Sequence, residues 1–119
     1  MLINLSNHPL ISWETVQRQT AELLFGEVQD LAFPYINPNS NEEEISLLAD
    51  QYFEKIKQLQ KGEENFAVHL MGELCFCFSL AERLKKYGIK TIASTTERKV
   101  IENGNQKTAV FNFVKFRAY

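Results

Sequence analysis

The sequence predicts an α/β domain with a three-layer, Rossmann-like parallel sheet, in the element order β-α-β-α-β-α-β-β. Short apolar runs alternate with segments of helical periodicity, which is typical of parallel strands joined by right-handed crossovers. An Asn-Gly pair near the carboxyl terminus is the strongest short signal for an antiparallel hairpin. A chain of 119 residues, 45% of them hydrophobic, is enough for one core but not for two full domains. We therefore expect residues 1–119 to form one domain.

Two strands and a helix are predicted in the opening part of the chain. The mostly apolar segment Leu2–Leu5 predicts the first strand. Apolar residues from Trp13 to Leu24 recur every three or four positions, which predicts a helix with Ser12 as its N-cap and Gly26 just beyond its end. The segment Glu27–Phe33 then predicts a second strand of about five residues, which ends at a chain break at Pro34.

The middle of the chain predicts two more helices around a buried strand. Ser40 and Glu43 have the spacing of a capping box, and apolar residues keep a helical period as far as Leu59. The apolar run Phe66–Met71 predicts a strand buried on both faces. The segment Leu74–Tyr87 predicts the third helix, since it is apolar at first and basic in its last turn.

The last third predicts a strand followed by a hairpin. Ile89–Ala93 reads as a fourth strand, and the polar run Ser94–Arg98 reads as its exit. The segments Lys99–Glu102 and Lys107–Phe116 flank the turn residues Asn103–Gln106. We expect this hairpin to add an antiparallel edge to the sheet.

Composition excludes several classes of protein. A formal charge of -2 and a pI near 5.7 provide no broad basic field for duplex nucleic acid. Cys75 and Cys77 are spaced two apart in an apolar run, which indicates buried, reduced thiols rather than a zinc or redox site. The amino terminus lacks a signal peptide, and no apolar run is long enough for a membrane span. We expect a soluble cytoplasmic protein with neither metal nor cofactor.

The first candidate cluster is Ser6, Asn7 and His8, which follows the first strand and precedes Pro9. In α/β sheets, ligands bind beyond the carboxyl ends of the strands. His8 is a candidate base or phosphate contact, because its ordinary pKa lies near neutrality. The alternative is that these residues only satisfy backbone groups in a turn.

The second cluster is Gly72, Glu73 and Leu74, at the start of the third helix. Glycine permits close approach of a ligand, and a helix start offers free N–H groups to an anion. Glu73 is a candidate for a ribose contact or for proton transfer, and the alternative is that it only favours the helix dipole. A single glycine does not make a dinucleotide or Walker loop.

The third cluster consists of Ser94, Thr95 and Thr96, followed by the charge pair Glu97 and Arg98. Three consecutive hydroxyl residues are unfavourable in a strand unless their side chains contact a polar partner. An arginine can hold a phosphate with two parallel hydrogen bonds. The alternative is an exposed ion pair beside threonines that suit a strand.

Three further features have structural interpretations as well as functional ones. His69 lies inside an apolar run, which favours a hydrogen-bonded core histidine over a catalytic one. Trp13 is expected to anchor the first helix in the core, with stacking on a base as the alternative. The phenylalanines of Lys107–Tyr119 indicate either a homodimer interface or core packing.

Four short segments together resemble a family of small bacterial CRISPR accessory proteins, the compact ring nucleases with a CARF-like Rossmann core. The segments are Asn4–Pro9 (NLSNHP), His69–Glu73 (HLMGE), Ala93–Arg98 (ASTTER) and Phe113–Arg117 (FVKFR). The resemblance spans nearly the whole chain and implies a homodimer that binds a cyclic oligoadenylate, with cyclic tetra-adenylate as the expected ligand. It implies metal-independent cleavage by a ribose 2'-hydroxyl, which leaves a 2',3'-cyclic phosphate and ends a type III CRISPR signal.

The resemblance also assigns roles to residues of this chain. The helix start from Gly72 to Leu74 would hold phosphate, and Ser94 to Thr96 would contact phosphate or ribose oxygens. Arg98 would stabilise the pentavalent phosphorus, and His8, positioned by Asn7, would be the general base or acid. The alternatives are a non-catalytic cyclic-nucleotide sensor or sink, and a scaffolding protein that acts through its C-terminal hairpin.

Overall fold

The computed structural model describes residues 1–119 and contains one mixed five-stranded sheet with three α-helices. The order of elements is the predicted one, and the antiparallel C-terminal hairpin is confirmed. In chain order the elements are β1 (Leu2–Ser6), α1 (Thr15–Phe25), β2 (Val28–Asp30), α2 (Glu42–Gln60), β3 (Ala67–Met71), α3 (Leu74–Tyr87), β4 (Lys90–Asn103) and β5 (Gln106–Ala118).

The strands lie in the order β2-β1-β3-β4-β5. All neighbouring pairs are parallel except β4 and β5, which are antiparallel. The order reverses between β1 and β3, because the first crossover goes to one side of β1 and the second goes to the other. In open α/β sheets such a reversal leaves a crevice at the carboxyl ends of the strands, where ligands bind.

Helices cover both faces of the sheet. Helices α2 and α3 cover one face, where alternate residues of β1 and β3, among them Ile3 and Val68, join the larger apolar cluster. Helix α1 covers the other face over a smaller cluster that contains Leu2, Ala21 and Ile92. None of the three helices combines the length and the apolar character needed to cross a membrane.

Helices α1 and α2 both begin slightly later in the chain than predicted. Helix α1 begins at Thr15 and not at Trp13, because residues Leu10–Ser12 form a separate 3-10 turn and Trp13 has an extended backbone. Trp13 is nevertheless buried against the sheet. Helix α2 has its capping box one residue later than predicted: Asn41 Oδ1 accepts from the Glu44 amide at 2.9 Å, and Glu44 Oε1 accepts from the Asn41 amide at 3.3 Å.

Strand β2 is shorter than the predicted segment Glu27–Phe33. It pairs with β1 only over Val28–Asp30, and after the Leu31 amide donates to the Asn4 carbonyl the chain leaves the sheet edge. β2 is an edge strand with β1 as its single neighbour, and β1 continues for Leu5 and Ser6 beyond the last residue that pairs with β2.

Strand β4 is longer than predicted and shows that Ser94–Arg98 is not an exit loop. Every residue from Ile92 to Asn103 has a partner in β5, so a single strand continues through the polar run to the turn. The ladder shifts by one residue between Thr95 and Thr96. The hydroxyl groups therefore lie within a strand, where neighbouring side chains point to opposite faces unless a bulge intervenes.

Candidate active site

A pocket of about 390 Å³ opens on the α1 face, between the loop after β1 and the C-terminal hairpin. Its floor is formed by side chains from β3 and β4, and its walls come from α1 and β5. The lining residues are His8, Ser12, Trp13, Glu14, Gln17, His69, Met71, Ser94, Thr96, Phe111 and Phe113. The pocket thus lies on the side of the carboxyl ends of β1 and β3.

A buried chain of hydrogen bonds connects three strands beneath this pocket. Asn4 and His69 are register partners on β1 and β3, and His69 Nδ1 lies 3.0 Å from Asn4 Oδ1. On the other side of the imidazole, His69 Nε2 lies 2.7 Å from Ser94 Oγ. Asn4 and His69 are 1% and 2% exposed, whereas Ser94 is half-buried and faces the pocket.

The partners of Asn4 decide which nitrogen of His69 carries the proton. Asn4 Nδ2 donates to the carbonyl of His8 and to Asp30 Oδ1, both at 2.8 Å. Since both of these groups are acceptors, the amide nitrogen must face them, and Asn4 Oδ1 must face His69. His69 Nδ1 therefore carries a hydrogen, and in the neutral ring Nε2 accepts a hydrogen bond from the Ser94 hydroxyl.

The protonation of His69 is set by its surroundings. Burial, with a smaller contribution from charge on His8, lowers the pKa of His69 from its usual 6.5 to about 4. The ring is therefore neutral at neutral pH. A hydroxyl that donates to a neutral imidazole, which is held by a third group, has the arrangement of an activated serine or of a proton relay.

Ser94 is held from two further directions. Gln17 Nε2 on α1 donates to Ser94 Oγ at 3.1 Å, and the Ser94 amide lies 3.2 Å from Met71 Sδ. Because Gln17 occupies a lone pair of the oxygen, the Ser94 proton is directed towards His69.

The loop after β1 places the His8 imidazole at the mouth of the pocket. The His8 carbonyl accepts from Asn4 Nδ2 and, at 3.0 Å, from Trp13 Nε1. The Ser6 hydroxyl lies 3.0 Å from the same carbonyl and accepts from the His8 amide at 3.2 Å. The His8 backbone is therefore fixed, while its side chain is exposed and lines the pocket.

Aromatic rings form much of the pocket wall. Trp13 makes an edge-on contact with His69, with ring centroids 5.0 Å apart. Phe113 packs on Phe116 at 4.9 Å, and Phe111 is 58% exposed beside them. Such surfaces bind flat aromatic groups such as nucleobases by stacking.

The structure brings only some of the predicted site residues together. His8, Ser94 and Thr96 line the pocket, whereas Ser6 is buried and lines a separate cleft. The Thr95 hydroxyl instead exchanges hydrogen bonds with the backbone of Lys115, at 3.1 and 3.2 Å.

Asn7 and Arg98 lie outside this pocket. Asn7 lines a separate open cleft with Pro9 and Asp30. Arg98 is exposed on the hairpin opposite Phe111, beyond the pocket lining.

The helix start at Gly72, Glu73 and Leu74 is not part of the pocket either. The Glu73 carboxylate is the N-cap of α3 and accepts from the Phe76 amide at 2.7 Å and the Cys75 amide at 3.0 Å. The hydrogen bond from Phe76, aided by that from Cys75, lowers the pKa of Glu73. These amide groups are thus already satisfied by an anion of the protein itself. Leu74 lines a different groove beside α2.

Sequence reasoning missed Asn4 and Gln17 as site residues, and it interpreted His69 as a core residue. His69 is indeed buried and fully hydrogen-bonded, but it also lines the pocket. A signal was present: Asn4, Ser6 and His69 are polar residues within apolar strands, and Asn4 and Ser6 share a face because strands alternate.

The two cysteines differ from each other, and the prediction that both are buried is wrong for one of them. Cys75 is exposed and Cys77 is buried, and both are free. Burial raises the pKa of Cys77 to about 12, so this thiol is unreactive. No three His, Cys, Asp or Glu side chains come together as a metal site.

Comparison with known proteins places the chain in a family. No curated protein matches it. A family model described as "Uncharacterized protein MJ1673 family" matches residues 1–117, nearly the entire chain. The chain therefore belongs to the MJ1673 family.

Proposed function

We propose that this protein is a metal-independent ring nuclease that binds a cyclic oligoadenylate and cleaves it in the His8/Ser94 pocket. The observation that supports this most directly is the chain Ser94–His69–Asn4, which presents an oriented hydroxyl and imidazole at the floor of an aromatic pocket. The resemblance to CRISPR accessory ring nucleases supplies the substrate, for which cyclic tetra-adenylate is the first choice. It also supplies the proposals of a CARF-like fold and a cytoplasmic location.

The proposed reaction is attack of a ribose 2'-hydroxyl on the adjacent phosphorus. The 2'-oxygen passes its proton to Ser94 Oγ while Ser94 passes its own proton to His69 Nε2. A bond forms between the 2'-oxygen and phosphorus, and the bond between phosphorus and the 5'-oxygen breaks. The His8 side chain, as the general acid, donates a proton to the leaving 5'-oxygen. The products are a 2',3'-cyclic phosphate and a 5'-hydroxyl, and Ser94 ends as it began.

A bound phosphodiester adjusts His69 for this role. In the free protein a pKa of about 4 makes His69 a weak base. An anionic phosphate beside the ring stabilises the imidazolium and raises this pKa, because an opposite charge nearby favours the charged form. Asn4 Oδ1 keeps Nδ1–H in place while Nε2 takes the second proton.

The size of the pocket supports binding of one nucleotide unit by each protomer. About 390 Å³ lies at the small end of the range for ligand sites, roughly 300–1,000 Å³. In this proposal a base stacks on Phe111 and Phe113, and Arg98 meets a phosphate at the rim. The rest of the ring lies across the pocket mouth, where the second protomer of a homodimer would cover it.

The first experiment is incubation of the purified protein with cyclic tetra-adenylate in EDTA, with separation of the products by HPLC. Linear products that end in a 2',3'-cyclic phosphate are the expected result. The variant Ser94→Ala should lower the cleavage rate by about 10²- to 10⁴-fold, the usual contribution of a positioned proton-transfer group.

Thr108→Ala is the matched control. Thr108 is an exposed hydroxyl residue of the same hairpin, and it lies near the turn, away from the pocket. Its rate should equal that of the wild type. If the ligand binds but stays intact, the protein is a sensor or sink and not a nuclease. Absence of binding to any cyclic oligoadenylate would refute the nucleotide proposal and favour a scaffolding role for the hairpin.

A further inference from the structure

Asp30, the last residue of β2, contacts two parts of the candidate site without lining its pocket. Asp30 Oδ1 accepts from Asn4 Nδ2 at 2.8 Å. The Leu10 amide lies 3.1 Å from Asp30 Oδ1 and 3.2 Å from Asp30 Oδ2. One carboxylate thus joins β1 to the loop that carries His8.

The first contact controls the orientation of the Asn4 amide. With Asp30 in place, a reversed amide would set Asn4 Oδ1 against a carboxylate and against the His8 carbonyl, which are both acceptors. The observed orientation keeps Oδ1 on His69 Nδ1. Asp30 therefore acts, through Asn4, on the tautomer of His69 and leaves Nε2 free to accept from Ser94.

The second contact fixes the end of the His8 loop. Pro9 has no N–H, so Leu10 supplies the first backbone donor after His8. Its bond to Asp30 holds the start of the 3-10 turn Leu10–Ser12, two residues from the imidazole. The same carboxylate thus positions the two histidines of the proposed mechanism.

We infer that Asp30 is a positioning residue, which sets the tautomer of His69 through Asn4 and the placement of His8 through Leu10. The kinetic part of this inference rests on the proposed function. The tautomer part does not, because it concerns the free protein.

The test uses Asp30→Leu and Asp30→Ala, both of which remove the acceptor oxygens, with Glu27→Gln as the matched control. Glu27 is an exposed carboxylate next to the same edge strand, and its side chain makes no hydrogen bond. Nitrogen NMR of ¹⁵N-histidine-labelled protein reports which ring nitrogen of His69 is protonated, and circular dichroism confirms folding. If Asp30→Ala does not fold, the Asp30→Leu variant, which is close in shape and has no acceptor, carries the test.

Wild type and Glu27→Gln should show a single Nδ1–H tautomer, and both Asp30 variants should show a mixture. For cleavage, kcat should fall by about 10- to 100-fold, as for other groups that orient a functional imidazole, with KM changed less than about twofold. An unchanged tautomer in folded Asp30 variants would overturn the inference. If the wild type cleaves no cyclic oligoadenylate, the proposed function fails, and the tautomer still decides the role of Asp30.

Discussion

Asn4 and His69 lie directly opposite each other on β1 and β3, and Asn4 Oδ1 accepts a hydrogen bond from His69 Nδ1 at 3.0 Å. Both side chains are almost fully buried, and no buried polar side-chain atom in the protein lacks a partner. When every donor and acceptor of a buried hydrogen-bond network has a partner, its side chains adopt one arrangement. Any other arrangement would leave a donor or an acceptor unpaired. This pair is therefore the structural basis of the candidate site.

Asn4→Leu should destabilise the protein. It removes the acceptor of His69 Nδ1–H, and a buried group left unpaired costs about 1–3 kcal/mol. Urea unfolding measures the change, and Asn7→Leu, at an exposed position, is the control. A loss no larger than that of the control would contradict the role given to Asn4.

His69 should make the protein less stable in acid. Because the pKa of His69 is about 4 in the folded protein and near 6.5 in the unfolded chain, the unfolded chain binds the proton more tightly between these values. Stability is full above about pH 6.5 and falls as the pH drops towards 4, by about 3 kcal/mol if the whole difference applies.

Thermal unfolding from pH 7.5 to pH 4 measures this dependence. His69→Gln retains hydrogen-bonding capacity without a titrating ring, so its unfolding temperature should fall less over the same range. Parallel curves for the two proteins would show that His69 is not the titrating group.

Gly72→Ala should destabilise the fold. A Cβ at this position would overlap the ring of Phe33, which packs edge-on against Phe76 at 5.4 Å. Gly72 thus serves close packing of an aromatic ring, and overpacking typically costs about 1–3 kcal/mol. In a double-mutant cycle, Phe33→Leu should recover part of the loss. Additive effects of the two substitutions would argue against this contact.

If the protein is the proposed nuclease, Arg98→Ala should weaken binding of cyclic tetra-adenylate and leave the chemical step intact. The side chain is exposed beyond the pocket lining, where water and salt screen its charge. We expect KM to rise severalfold at low salt, with kcat within about twofold of the wild type, and the effect should shrink at high salt. A large fall in kcat would instead place Arg98 at the reacting phosphate.

The order of helices and strands could be predicted from the sequence, because the signals for it are local. The 3.6-residue period identified α2 and α3, and the Asn103-Gly104 pair marked the hairpin, where Gly104 has φ +66°. The capping box was misplaced by one residue because Ser40–Glu43 and Asn41–Glu44 both have the required spacing. Only the backbone geometry distinguishes these two pairs.

The extent of β4 could not be predicted from local signals. Ser94–Arg98 has the composition of a loop, but β5 pairs with it throughout and satisfies its backbone groups. Pairing with a distant segment outweighed local preference, as is common in sheets.

The sequence by itself determined the α/β class, the hairpin and the polar residues available to the site, because periodicity, turn chemistry and composition act over a few neighbouring residues. Only the tertiary structure decided that Asn4, His69 and Ser94 form one chain of hydrogen bonds. These residues lie on three different strands, and the crossover helices and the sheet register bring them together. A shift of one residue in that register would turn the polar side chains to the opposite face, because side chains alternate along a strand.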